Sequence, residues 1–150
     1  MGDKRCFLIG HRQAPAELAP LLSAAVEEHI IRWGVGEFIV GHYGGFDALA
    51  AGVVKSAKQN HPQVKLTLLL PYHPAESFIA VPDGFDGSCY PPGMEHVPRR
   101  FAIVRANRYL VDHADFLIAY AWHPASNAKN LLEYARKRES RGLIRVTALK

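Results

Sequence analysis

The sequence predicts an α/β domain built on an open, mainly parallel β-sheet with helices on both faces. Short apolar runs alternate along the chain with longer segments whose apolar residues recur at helical spacing. Apolar runs are typical of strands buried in parallel sheets, and repeated strand–helix–strand units build such sheets. The 150 residues, 49% hydrophobic and 21% charged, suit one globular domain over residues 1–150.

The chain is predicted to begin with a strand, a helix and a second strand. Residues 5–10 (RCFLIG) form a short apolar run that a glycine ends. Residues 15–33 show apolar side chains at helical spacing, with Pro15 suited to the first helical turn and Gly34 to the end. Residues 37–40 form the second strand.

The middle of the chain continues this alternation and then interrupts it. Residues 47–59 are predicted as a helix and residues 65–70 (KLTLLL) as the third strand. Residues 82–98 contain four prolines and three glycines. We expect this stretch to form an ordered loop over one end of the sheet, since loops of this length in compact domains usually serve function.

The last third of the chain returns to helices and strands. Residues 99–113 and 127–138 are predicted as helices from the spacing of their apolar residues. Residues 115–120 (DFLIAY) and 143–148 (LIRVTA) are predicted as the fourth and fifth strands.

The net charge of +4 is modest for a chain that binds nucleic acid. The distribution of the charge is more informative, because four arginines and no acid occur between His96 and Val111. Guanidinium groups match phosphate geometry, so this segment favours a phosphorylated ligand. On a helix, only some of the four side chains can face one site.

The two cysteines and the chain start favour a cytoplasmic protein. Cys6 and Cys89 form no Cys-x-x-Cys pair and are expected to be free thiols. The start MGDKRCFLIGHR resembles a first strand and not a signal peptide. No apolar run approaches the roughly 20 residues of a transmembrane helix, so no membrane partner is expected.

The residues that follow the strands form the candidate binding site, because open parallel sheets bind ligands at the carboxyl ends of their strands. Glycines there let a ligand approach the backbone, and the amides that open the next helix favour an anion. Aromatic side chains offer flat faces for a base. This combination favours a nucleotide or another phosphorylated, nucleotide-derived small molecule. The candidates are Gly10, His11, Arg12, Gly41, His42, Gly44, Gly45, Asp47, Tyr72, Trp122, Ser126 and Asn127.

Simpler interpretations compete with binding at several of these positions. Asp47 stands where a helix N-cap belongs, and each histidine suits a hydrogen-bonded position at the rim. No His-x-His or His-x3-His pair supports a metal site, so neither a metal nor another cofactor is expected.

Four stretches in sequence resemble the SLOG superfamily: GHR, VGHYGGFDALAAGVV, LLPYHP and the long block that begins CYPPGMEHVPRR. This Rossmann-like group includes the DNA-processing DprA (SMF) proteins and the Lonely Guy phosphoribohydrolases, and the likeness is nearest to its small bacterial single-domain members. The resemblance covers nearly the whole chain. It implies a Rossmann-like three-layer sandwich, a five-stranded mainly parallel sheet in the order 3-2-1-4-5, and a rim pocket for nucleotide-derived ligands. A homodimer is compatible with it.

Two departures from the family pattern bear on activity. Members of the family carry Arg-Lys or Arg-Asn in the helix before the fourth strand, whereas this chain has Ala106 and Asn107, with Arg105 or Arg108 as a candidate substitute. After the fourth strand the family has a glycine-rich turn and a catalytic glutamate. Here Ser126 begins a Ser-Asn-Ala sequence, and Leu131 stands at the position of the glutamate.

Three functions fit these residues. The favoured function is nucleotide binding by a sensor or non-catalytic domain, with Arg105 and Asn107 added to the site. The second is N-glycosidic hydrolysis of a nucleotide, for which Asp47 or Glu95 would supply the carboxylate and His11 or His42 the proton carrier. The third, less favoured, is a nucleic-acid-binding or assembly module.

Overall fold

The computed structural model describes residues 4–75 and 80–150, which form a six-stranded sheet between two layers of helices. Residues 1–3 and 76–79 of the predicted single domain lie outside the described part. The strands are β1 (Lys4–Gly10), β2 (Val35–Val40), β3 (Lys65–Leu69), β4 (Gly87–Cys89), β5 (Phe116–Tyr120) and β6 (Arg145–Ala148). The helices are α1 (Ala19–Trp33), α2 (Gly45–Asn60), α3 (Ala102–His113) and α4 (Asn127–Glu139).

The strand order is β4-β3-β2-β1-β5-β6, and every neighbouring pair runs parallel. The predicted α/β class is confirmed, and the five predicted strands keep their expected order. The expected number of five strands is wrong, because β4 lies within the stretch predicted as a loop. Thr67 pairs with Gly87 and Leu69 with Cys89. The sequence of β4 shows no apolar run because a three-residue strand at the sheet edge needs little burial.

Several element boundaries differ from the prediction by a few residues. The segments 16–18 and 99–101 are 3-10 turns, so α1 and α3 begin after them. α2 and β2 each begin two residues before the predicted start. Gly34 ends α1 as predicted, because its φ of 70° is a left-handed conformation that suits glycine.

The sheet buries an apolar core on each face. Leu8 and Phe38 point to the face covered by α1 and α2, whereas Phe7 and Leu117 point to the face covered by α3 and α4. Neighbouring strand residues separate in this way because side chains alternate along a strand. Met94, from the predicted loop, packs into the second core. Residues of the predicted loop therefore pack on one face of the sheet as well as lying near one end of it.

Both cysteines are free thiols. Cys6 is buried in β1, and that burial raises the pKa of its thiol well above the ordinary value, so the group stays protonated. Cys89 is half-buried at the edge strand. Among the described helices, none is long and apolar enough to span a bilayer.

Candidate functional site

A cavity of about 260 Å³ opens at the carboxyl ends of the central strands. Its floor includes Ile9 at the end of β1 and Leu69 at the end of β3. Its walls come from the turn after β2, the start of α2, the first half of α3 and the start of α4. Helices from both faces of the sheet therefore meet at this cavity, where open parallel sheets bind ligands.

The cavity brings together six residues predicted from the sequence to bind a ligand. Four are polar or charged residues on different helices or turns, and two are glycines. They are Gly10, Arg12, Gly41, Asp47, Asn107 and Asn127.

Glycines let the turn after β1 pack directly on the start of α2. The N–H of Gly45 donates to the carbonyl of Arg12 at 2.6 Å. Gly44 has a φ of +145°, and a Cβ there would lie 2.9 Å from the Arg12 Cα. A Cβ on Gly10 would overlap the ring of Phe46. These glycines serve close backbone packing, and that packing fixes where Arg12 stands.

Asp47 is the third residue of α2, so the interpretation of Asp47 as the N-cap is wrong: Gly44 holds the N-cap position. Its carboxylate Oδ2 accepts the N–H of Tyr43 at 2.9 Å. Burial raises the pKa of Asp47, while the Tyr43 hydrogen bond and the nearby His42 oppose that rise. Asp47 thus satisfies the turn before the helix and also lines the cavity.

His11 holds the turn after β5 and is not free at the rim. Its Nε2 accepts the N–H of Trp122 at 2.9 Å and the N–H of His123 at 3.1 Å. Burial lowers the pKa of His11, and the neighbouring His123 lowers it further. Nε2 must be unprotonated to accept both hydrogen bonds. This nitrogen is therefore already occupied by the backbone of the turn after β5.

Of the four arginines between His96 and Val111, Arg100, in the turn before α3, lines the cavity, whereas the sequence analysis selected Arg105. Arg100 lines the cavity, whereas Arg105 lies in a separate depression beside Arg108. Residues 100, 103, 104 and 107 share one helical face at i, i+3, i+4 and i+7, and all four line the cavity. The spacing from Asn107 was therefore a signal in the sequence that could have identified Arg100.

Aromatic and basic side chains lie next to segments that line the cavity, beside Pro71, Arg100 and the turn after β1. The Arg99 guanidinium lies 4.1 Å from the centre of the Tyr72 ring. The Tyr72 ring in turn meets the Tyr43 ring edge to face at 6.4 Å. Trp122 is 62% exposed and lies against His11 with ring centres 5.3 Å apart. These rings provide flat surfaces near the basic side chains Arg99 and Arg100.

The start of α4 adds a second positive feature. Ser126 caps this helix: its Oγ accepts the N–H of Lys129 at 3.1 Å and donates to the carbonyl of His123 at 2.8 Å. Asn127 and Ala128 line the cavity immediately after the cap. The positive end of the α4 dipole thus lies at the cavity, where it favours an anion.

The remaining candidates lie apart from the cavity or at its edge. Glu95 is exposed and lines a small depression with Tyr72 and Arg99. His42 is exposed and lines another depression behind the turn after β2. Asp47 and Glu95 therefore border different depressions. Within the described residues, no cluster of three histidine, cysteine or acidic side chains could hold a metal ion.

The two departures from the SLOG pattern have packing explanations. Ala106 is fully buried against the second core, where an arginine would not fit. Leu131 is buried in the same core. Both positions contribute to folding in this chain, and the polar wall of the cavity is built from Arg100, Asn107 and Asn127.

These features define a Rossmann-like α/β domain with a polar cavity at the carboxyl ends of its strands. Solved structures share this fold. DNA processing protein A (DprA) from Streptococcus pneumoniae is 18% identical with a TM-score of 0.66, over 97% of this chain and 50% of that one. The Moco Carrier Protein from Chlamydomonas reinhardtii is 16% identical with a TM-score of 0.51, over 97% and 90% of the two chains.

A second DprA, from Helicobacter pylori, is 13% identical with a TM-score of 0.55, over 95% of this chain and 74% of that one. That structure describes a single-stranded DNA binding mode of the H. pylori protein. The present chain spans half the length of the S. pneumoniae protein. A scan of family models and a search of curated proteins give no match. The likeness to DprA that the sequence predicts is thus confirmed at the level of the fold.

Proposed function

We propose that this domain binds a phosphorylated, nucleotide-derived small molecule in the cavity at the carboxyl ends of its strands. The observation that carries this proposal is the convergence of Arg12, Arg100 and the start of α4 on one cavity. Two guanidinium groups and a helix start are suited to a phosphate. The amides of Asn107 and Asn127 add hydrogen-bond donors and acceptors for the rest of the ligand.

The size and surroundings of the cavity support a ligand that is only partly enclosed. Its volume of about 260 Å³ is just below the roughly 300–1,000 Å³ typical of small-molecule sites. A phosphorylated sugar would occupy the interior, and a base would extend to the rim. There Tyr72 and the exposed Trp122 offer ring faces for stacking.

A thermal-shift screen against nucleotides, cyclic nucleotides and ribose phosphates tests this proposal. A ligand at a hundred times its Kd adds about 2.7 kcal/mol to the free energy of unfolding, which raises Tm by several degrees. Arg100→Ala should weaken binding at least tenfold, because it removes a charge-assisted hydrogen bond to phosphate. The matched control is Arg141→Ala, since Arg141 is exposed after the far end of α4. Equal losses in both variants, or no shift with any compound, would reject the site.

The same mixtures test whether the domain is an enzyme. Hydrolysis of an N-glycosidic bond requires a carboxylate at the sugar, and Asp47 is the acidic residue among those lining the cavity in the described chain. Each mixture is analysed for free base and sugar phosphate after incubation. Intact ligand together with a raised Tm supports a binding domain, whereas product that disappears in Asp47→Ala would establish catalysis.

Binding of single-stranded DNA is the second candidate function. The exposed Phe101 and Val104 lie among Arg99, Arg100 and Arg105, so apolar and basic side chains alternate along the start of α3. Exposed rings and cations of this kind suit a single strand. The H. pylori DprA with a similar fold binds single-stranded DNA.

The salt dependence of binding separates the two candidates. Affinity for an oligodeoxynucleotide should fall steeply with salt, with a log–log slope of about −0.7 for each phosphate contacted. Arg105→Ala should then reduce the slope by about that amount. A flat response, or affinity no greater than for a mononucleotide, would reject the nucleic-acid candidate.

A further inference from the structure

We propose that Asp47 recognises the hydroxyl groups of a ribose, so that the cavity prefers ribosyl phosphates to their 2-deoxyribosyl counterparts. This inference rests on the proposed function, because it requires that the cavity bind a sugar phosphate. It adds a sugar specificity and assigns that specificity to one carboxylate.

The first support is the state of the two carboxylate oxygens. Oδ2 accepts the N–H of Tyr43 at 2.9 Å, which holds the side chain in place. Oδ1 receives no hydrogen bond from residues 4–75 or 80–150. A carboxylate oxygen has lone pairs for two donors, so the group has capacity for a ligand hydroxyl.

The second support is the absence of a side chain beside this carboxylate. Gly41 lines the cavity next to Asp47, and a Cβ on Gly41 would lie 2.9 Å from Oδ2. The φ of Gly41 is not positive, so a turn conformation does not require glycine there. The missing side chain leaves space beside Oδ2, the carboxylate oxygen nearer to Gly41.

The third support is the position of the polar groups around the cavity. Asp47 belongs to α2 on one face of the sheet, and Arg12 lies beside the start of that helix. Arg100, in the turn before α3, and Asn127, at the start of α4, lie on the other face. A carboxylate repels phosphate but accepts hydrogen bonds from hydroxyls. A ligand with its phosphate on the α3 and α4 side therefore presents its next group, the sugar, to Asp47.

A structural role alone would also explain the Tyr43 hydrogen bond, and the substitution is chosen to separate the two roles. Asp47→Asn keeps a carbonyl oxygen that can accept the Tyr43 N–H. It replaces the second acceptor oxygen by an NH₂ donor, so the start of α2 is retained while the cavity loses its carboxylate. The matched control is Asp115→Asn. Asp115 also accepts a backbone N–H, that of Arg5 at 3.0 Å, but at the opposite end of the strands.

The experiment measures Kd by calorimetry for ribose 5-phosphate, 2-deoxyribose 5-phosphate, AMP and dAMP. The parent protein should bind each ribose compound about tenfold more tightly than its deoxy partner, as expected for a hydroxyl hydrogen bond to a charged group. Asp47→Asn should reduce this ratio to below about threefold, and Asp115→Asn should leave it unchanged.

The outcomes distinguish this inference from the function on which it rests. Equal affinity for ribose and deoxyribose compounds in the parent protein overturns the role of Asp47 and leaves phosphate binding intact. A ribose preference that persists in Asp47→Asn also overturns it. Failure of all four compounds to bind rejects the proposed function together with this inference.

Discussion

His29 is a polar side chain in the middle of the apolar core. It is fully buried on α1, and its Nδ1 lies 2.6 Å from the carbonyl oxygen of Ala25. Since a carbonyl only accepts, Nδ1 donates, and Nε2 of the neutral ring has no partner among the described residues. The ring packs against Trp33 and Phe116. Burial lowers the pKa of His29; the Ala25 bond and Glu28 oppose this shift, and Arg145 adds to it.

This burial predicts a loss of stability on acidification. The unfolded chain binds a proton at His29 as pH falls through about 6.5, whereas the folded chain resists protonation until lower pH. The free energy contributed by neutral His29 is therefore present above pH 6.5 and declines below it. Between pH 7 and pH 5 the loss should be on the order of 1 kcal/mol, measured by urea unfolding at each pH.

His29→Leu tests the assignment, because leucine fills the site without titrating. The pH dependence between 7 and 5 should become shallower in this variant, leaving the part due to His11, whose pKa is also lowered. His96→Leu is the control, since His96 is exposed on the surface. An unchanged slope in His29→Leu would contradict the explanation.

At the scale of elements, the start of α2 depends on contacts with the turn after β1. Gly44 takes a positive φ and lies against the backbone of Arg12, and Gly45 donates to the Arg12 carbonyl. The same contact aligns the arginine with the cavity. Gly52, in the middle of α2, has open space where a Cβ would stand.

Alanine at these two glycines should have opposite effects on stability. Gly44→Ala should cost about 1–3 kcal/mol, because its φ is unfavourable for alanine and its Cβ meets the Arg12 backbone. Gly52→Ala should stabilise the protein by up to about 1 kcal/mol through helix propensity. Urea unfolding measures both. A Gly44→Ala protein as stable as the parent would mean that the turn can relax without loss.

At the scale of the whole molecule, the sheet has a well-paired centre and two different edges. β1 pairs with β2 on one side and with β5 on the other. β4 is a three-residue strand with β3 as its one neighbour in the described sheet. At the opposite edge, the Glu139 carboxylate accepts the N–H of Val146 at 2.8 Å and so occupies a donor of β6.

This arrangement predicts a gradient of hydrogen exchange across the sheet. Amides of β1 should exchange only through global unfolding, because opening this strand breaks two ladders and both cores. Amides of β4 should exchange at least a hundredfold faster through local opening. Mass spectrometry of peptides from residues 5–10 and 86–90 measures both rates. Equal protection of the two strands would show that β4 unfolds only with the whole sheet.

Much of the fold could be predicted from the sequence because burial on both faces produces apolar runs that are visible without coordinates. β1, β3 and β5 are predicted from such runs, and the four helices are predicted from apolar residues at helical spacing. β4 was missed because an edge strand of Gly-Ser-Cys lacks that signal. The site was predicted in part, because Asp47, Asn107 and Asn127 line the cavity as expected. The sequence analysis selected Arg105, whereas the structure places Arg100 in the cavity and Arg105 in a separate depression. Their binding roles stay predictions.

The sequence by itself determined the alternation of strands and helices, the parallel class of sheet and the rim at which polar residues collect. These follow from local periodicity and from the geometry of parallel connections. Only the tertiary structure decided which rim residues share a cavity. His11 is hydrogen-bonded to the backbone of the turn after β5. Arg100 and Asp47, by contrast, line one cavity from opposite faces of the sheet. Which residues share a cavity depends on how each helix is rotated about its axis and on backbone contacts between segments that are distant in sequence. Neither can be read from a pattern of neighbouring residues.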